Sequence, residues 1–124
     1  MTYVLIFLGS GLGGVLRFLM GPFVQKLFNG WLFPIGTFSV NMLGCLVIGI
    51  LGCLAETKGM FQGQTRMALF VGLLGGFTTF SSFGFETFQL LRDGQYLYAG
   101  CNAVLQVVLG LVCVWLGFLI GRLM

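Results

Sequence analysis

Four continuous apolar runs, each about 20 residues long, leave this chain few ways to fold. They cover about residues 3–24, 32–55, 67–91 and 96–121 and are joined by short polar links. A helix of that length spans the hydrocarbon core of a bilayer and satisfies its own backbone hydrogen bonds there. Barrel strands would alternate polar and apolar residues over about 10 positions, and these runs do not. Only 7% of the 124 residues are charged and 58% are hydrophobic, whereas a soluble domain carries about a quarter charged residues to cover its surface. The expectation is an all-α membrane protein, one four-helix transmembrane domain over residues 1–124 with the lipid bilayer as its solvent. Met1-Thr2-Tyr3-Val4 lacks a basic stretch and no small-x-small cleavage site follows, so the first run is expected to stay in the mature chain.

Several function classes drop out on composition. A net charge of +3 gives no footprint for nucleic acid. There is no histidine, and the four cysteines, Cys45, Cys53, Cys101 and Cys113, lie inside apolar runs without CxxC spacing, so zinc is not expected and the thiols read as small packing residues. No nucleophile sits with a base and no GxxxxGK[ST] loop occurs, so the chain does not read as an enzyme.

The basic residues are divided almost evenly. With four spans both termini share one side, which also carries Lys58, Arg66 and Arg122; the other carries Lys26 and Arg92, plus Arg17 if its side chain snorkels to the headgroups. The positive-inside rule acts on an imbalance, and here it has almost none. Insertion in both orientations follows, and with it an antiparallel homodimer; the alternative is one orientation set by a single loop charge. The glycine pairs Gly9/Gly13, Gly72/Gly76 and Gly117/Gly121 have the spacing of close helix contacts.

An ionisable residue near the bilayer centre costs roughly 2.5–3.5 kcal/mol on insertion scales, which makes it a functional candidate. Arg17 and Glu86 qualify. Glu86 has a shorter stem that snorkels less well, which favours a water-filled vestibule or a hydrogen-bonded pocket. Asn41 either joins helices or faces a permeating ion with its N–H donors. The densest polar cluster is Gly75-Gly76-Phe77-Thr78-Thr79-Phe80-Ser81-Ser82-Phe83-Gly84-Phe85-Glu86. Two glycines followed by two threonines make a poor helix centre, so the third helix is expected to break near its middle and free backbone carbonyls, ligands suited to a hard cation. Phe80 and Phe83, at i,i+3, lie near one face. They are either packing aromatics or rings that offer a positive edge to a small anion.

The runs Gly13-Gly14-Val15-Leu16-Arg17, Gly36-Thr37-Phe38-Ser39-Val40-Asn41-Met42-Leu43-Gly44 and Gly72-Leu73-Leu74-Gly75-Gly76-Phe77-Thr78-Thr79-Phe80-Ser81-Ser82-Phe83-Gly84-Phe85-Glu86 resemble the Fluc (CrcB) family of bacterial fluoride channels. The resemblance implies a dual-topology homodimer in the bacterial inner membrane with two antiparallel fluoride pores. It implies a structural Na⁺ on the two-fold axis, held by the carbonyls of Gly75 and Thr78 from both subunits. Phe80 and Phe83 would line the anion path, Asn41 would donate to fluoride, and Ser81 and Thr79 would belong to a polar track. Arg17, Thr37, Glu86, Asn102 and Gln106 would extend that track or its vestibules. Asn102 and Gln106 keep the i,i+4 spacing of the family's polar row on the fourth span, but Gly110 and Val114 do not continue it. The competing reading is a dual-topology, proton-coupled multidrug exporter of the small four-helix type. It needs an acidic residue in the first span, where this chain has Arg17.

Overall fold

The computed structural model describes all 124 residues, Met1–Met124. Four helices are long and apolar enough to cross a membrane: α1 (Thr2–Leu27), α2 (Ile35–Lys58), α3 (Gly63–Arg92) and α4 (Tyr96–Leu123). The helices outrun the apolar segments at several ends, because backbone hydrogen bonding continues past the point where polarity changes. α2 starts directly after Pro34, whose fixed φ suits the flank of a helix. It runs through Glu56-Thr57-Lys58 and ends on Gly59, which takes a left-handed φ of 64°.

α3 is one span with an interruption. Gly63–Arg66 is a single α-helical turn, Met67–Leu74 is wound as a π-helix, and Gly75–Phe77 returns to α geometry. Thr78 and Thr79 are extended, with ψ of 159° and 117°, and Phe80–Arg92 resumes the helix. The break expected from the Gly-Gly-Phe-Thr-Thr run therefore falls at Thr78–Thr79, and it bends the span only slightly. The π-helical winding ahead of it leaves no signature in residue type; wide turns of this kind recur next to functional sites.

Packing divides the bundle in two. In the leading half of α3 (Gly63–Phe77) the stretch Met67–Phe77 lies on α1, the trailing half (Phe80–Arg92) lies on α4, and the most extensive interface joins α2 to α4. Glycine makes the first and last of these contacts. A Cβ on Gly9 would stand 2.7 Å from the Ala68 carbonyl oxygen, and one on Gly13 would stand 2.7 Å from the Phe77 amide nitrogen. Gly72 and Gly76 face Gly9 and Ser10 in return, so the two backbones touch. On the α2–α4 side Gly49 sits on the Val114 carbonyl, Gly117 on the Leu46 carbonyl and Gly121 against Cys53. Lipid tails are as apolar as leucine, so close van der Waals approach replaces hydrophobic burial as the force between helices. Much of the remaining apolar surface, including Phe7, Leu12, Phe18, Val104 and Trp115, is exposed and suited to lipid.

Candidate functional site

Breaking a helix inside a bilayer leaves N–H and C=O groups that water cannot reach, and each must find a partner. Thr79 finds three. Its N–H donates to Asn41 Oδ1 at 2.9 Å, its carbonyl accepts from Asn41 Nδ2 at 3.0 Å, and its Oγ1 accepts from the Ser82 N–H at 3.2 Å. The last is an N-cap for the trailing half of α3. The carboxamide of Asn41 thus pairs with one backbone residue across α2 and α3. Its Nδ2 also donates to Gln106 Oε1 at 3.2 Å. Thr78 is held differently: its N–H and hydroxyl both donate to the Leu74 carbonyl, and its own carbonyl accepts from Arg17 Nη1 at 3.3 Å. Arg17 therefore points inward to the break, which removes it from the tally of surface charges. Gly75 gives up its regular partner, since the Thr79 N–H that would meet its carbonyl is turned to Asn41.

From this junction a line of polar side chains runs along α3 and α4. Gln106 Nε2 donates to Asn102 Oδ1 at 3.5 Å, Asn102 Nδ2 to Thr87 Oγ1 at 2.9 Å, and Thr87 Oγ1 to the Phe83 carbonyl at 2.7 Å. Asn102 is completely buried. The row on α4 stops at Gln106, because Gly110 is packed against Cys45 and Met42. In the other direction Thr79 Oγ1 lies 3.3 Å from Ser81 Oγ and donates to Ser82 Oγ at 3.0 Å.

Two cavities flank Thr79, which lines both. One, of about 400 Å³, brings together Asn41, Gly75, Thr78, Phe80, Phe83 and Gln106. The Phe80 and Phe83 rings stand 5.4 Å apart, tilted by 59°, and Phe80 is 83% exposed. Ser81 and Gly75 are exposed beside it, polar groups facing out of the chain at mid-span. The other cavity, of about 560 Å³, is lined by Arg17, Gln25, Thr37, Ser82 and Glu86. Thr37 Oγ1 donates to Glu86 Oε1 at 2.6 Å, while Glu86 Oε2 is buried without a partner. Of the residues singled out in the sequence, Arg17, Thr37 and Glu86 share this second cavity and the rest, apart from Ser81 and Asn102, line the first.

The profile of the family described as CrcB-like protein, Camphor Resistance (CrcB), matches residues 4–118. The chain belongs to the CrcB family. It is 47% identical over 115 residues to the "Fluoride-specific ion channel FluC" of Methylobacillus flagellatus, covering 93% of this chain and 90% of that protein. It is 47% identical over 124 residues to the protein of the same name from Coxiella burnetii, with 98% of each chain covered. The Methylocella silvestris protein of that name is 43% identical over 123 residues, 98% of this chain and 93% of that one.

Three residues of this CrcB chain join the site without having been singled out for it. Gln25 Oε1 accepts from the Gly36 N–H at 3.1 Å and its Nε2 donates to the Phe33 carbonyl at 3.3 Å, so it caps α2 from the end of α1. Its signal was the face it shares with Arg17 and Gly21 at successive four-residue steps. Ser82 lies inside the polar motif. Thr87 had no signal beyond being a hydroxyl one turn past Phe83.

Proposed function

We propose that the chain is a fluoride channel of the inner membrane, a passive path and not an enzyme. The observation that carries this reading is the cavity at the α3 break, where neutral donors and the rings of Phe80 and Phe83 converge inside a membrane-spanning bundle. The relatives named fluoride-specific ion channels support it. Fluoride is small, hard and strongly hydrated, so a path for it must replace water with hydrogen-bond donors. The Asn41 amide, the Ser81 and Thr79 hydroxyls and the edges of Phe80 and Phe83 offer partial charges and no fixed cation. An anion can then bind and still leave, as conduction requires. Both N–H groups of Asn41 are engaged, one with Thr79 and one with Gln106. Fluoride would compete for the second, since the first also holds the break together.

The working unit in this proposal is an antiparallel homodimer. A single chain leaves Phe80, Ser81 and Gly75 facing outward at mid-span, positions that a second copy would enclose. Lys58, Arg66 and Arg122 against Lys26 and Arg92 give little orientation preference once Arg17 turns inward. The break also suits a structural Na⁺ in kind. Gly75 and Thr78 offer carbonyl oxygens, ligands for a hard cation, and a two-fold partner would double their number. Arg17 already donates to the Thr78 carbonyl, so that oxygen would serve both.

Fluoride release from loaded liposomes, compared with chloride and with proton-driven dye export, tests the function. Fast fluoride release without dye export is expected. Dye export without fluoride release would replace this reading with the multidrug exporter. Adding two or three Lys to one side tests the dimer: each biased version should be inactive alone and active when co-expressed with its opposite. Full activity of one biased version by itself would end the antiparallel assembly.

A further inference from the structure

The α2–α4 contact carries three sulfur atoms that the fluoride path does not use. Met42 and Cys45 are one helical turn apart on α2 and face Gly110 on α4, with Cys45 Sγ and Met42 Cε each 3.6 Å from where a Gly110 Cβ would stand. Cys113 is three residues beyond Gly110, on the same face, and its Sγ lies 3.9 Å from Met42 Sδ. Both cysteines are free and half-buried. Met42 and Cys45 line the same cavity as Asn41, Phe80 and Phe83, so the cluster is reached from the proposed anion path.

We propose that Met42, Cys45 and Cys113 form a binding site for a soft cation of the copper(I) or silver(I) class, on the wall of the Asn41 cavity. Thiolates and a thioether are the ligands that select soft d¹⁰ ions, and hard cations such as Na⁺ or Mg²⁺ are poorly served by sulfur. Each thiol releases its proton to water as its metal–sulfur bond forms, and the thioether adds as a neutral donor. Two thiolates on a monovalent ion leave one net negative charge on the cavity wall. A bound metal would therefore oppose an anion by repulsion as well as by filling space. This last consequence rests on the fluoride reading; the binding itself does not.

Copper(I) binding is measured anaerobically by competition with bathocuproine disulfonate on the purified full-length protein. Cys53→Ala and Cys101→Ala serve as the background, since Cys53 is buried and Cys101 lines a separate surface cavity. One copper(I) per chain is expected to be withheld from the chelator. Cys45→Ser and Cys113→Ser should each weaken it by about tenfold or more, the scale already lost when an outer partner of a metal site is removed. Met42→Leu should weaken it less. Size exclusion checks that each variant is folded, and Cys113→Ala replaces Cys113→Ser if that one is not. If the background protein takes up no copper, or if removing Cys45 or Cys113 leaves affinity unchanged, the site does not exist. In liposomes copper(I) should slow fluoride release, and Cys113→Ser, away from the cavity lining, should restore it. Copper bound at the three sulfurs with release unslowed would keep the metal site and remove this cavity from the fluoride path.

Discussion

The leading half of α3 meets α1 backbone to backbone through Gly9, Gly13, Gly72 and Gly76, whereas the break and the trailing half meet α2 and α4 through the side chains of Thr37, Asn41 and Asn102. The first contact works because side chains are missing, the second because polar ones are present. Both answer the same condition. In a bilayer burial of apolar surface does not distinguish one helix pairing from another, so close approach and hydrogen bonding must. The glycine contact is rigid and tolerates no added atoms. The polar contact lies beside the two cavities.

The sharpest way to break the glycine half is Gly13→Leu or Gly76→Leu. Each puts a side chain into the opposing backbone, at Leu73 and Phe77 for the first and at Ser10 for the second. Neither backbone can yield without separating the helices, a cost at or beyond the usual overpacking loss of about 1–3 kcal/mol. Loss of the monodisperse folded protein in detergent is the expected result. Normal yield and melting temperature would show that α1 and α3 do not pack as described.

Asn41→Asp tests the transport role proposed for the junction. The acceptor for the Thr79 N–H remains, but the donors to the Thr79 carbonyl and to Gln106 are lost, and a negative group enters the cavity. A stability loss of about 1–3 kcal/mol is expected in thermal melts, together with abolished fluoride release. Undiminished release from a folded variant would take Asn41 off the path.

Phe80→Ile and Phe83→Ile keep much of the apolar volume and remove the ring quadrupole. Stability should fall by about 1.5 kcal/mol or less, while fluoride release per folded protein should fall far more. Phe88, exposed on the same half of α3, is the control. Equal damage from Phe88→Ile, or parental flux in both ring variants, would reduce Phe80 and Phe83 to packing.

The smallest effect expected is a gain. Gly84 lies in the trailing half with open space around its Cβ position. Gly84→Ala should raise stability by up to about 1 kcal/mol through helix propensity. A loss comparable to that of Gly13→Leu would mean that the trailing half is glycine-packed as well, and the contrast between the halves would vanish.

The four spans and the weak positions in α3 were legible in the chain, and so were most of the polar residues that the two cavities bring together. Run length against bilayer thickness gives the spans, and Gly75-Gly76 followed by Thr78-Thr79 marks the interruption. Arg17, Asn41 and Glu86 announce themselves because lipid penalises them wherever they stand. Their partners were not legible. That Asn41 grips both sides of the Thr79 peptide 38 positions away, that Arg17 turns to the Thr78 carbonyl rather than to the headgroups, and that Thr37 meets Glu86 depend on how the helices rotate against each other. Local pattern determined which segments cross the membrane, because crossing depends on the composition of one segment at a time. Tertiary structure alone decided which glycines touch, where the freed backbone groups go and that the polar residues gather around two cavities sharing Thr79, because hydrogen bonds between helices depend on distances that no single segment encodes.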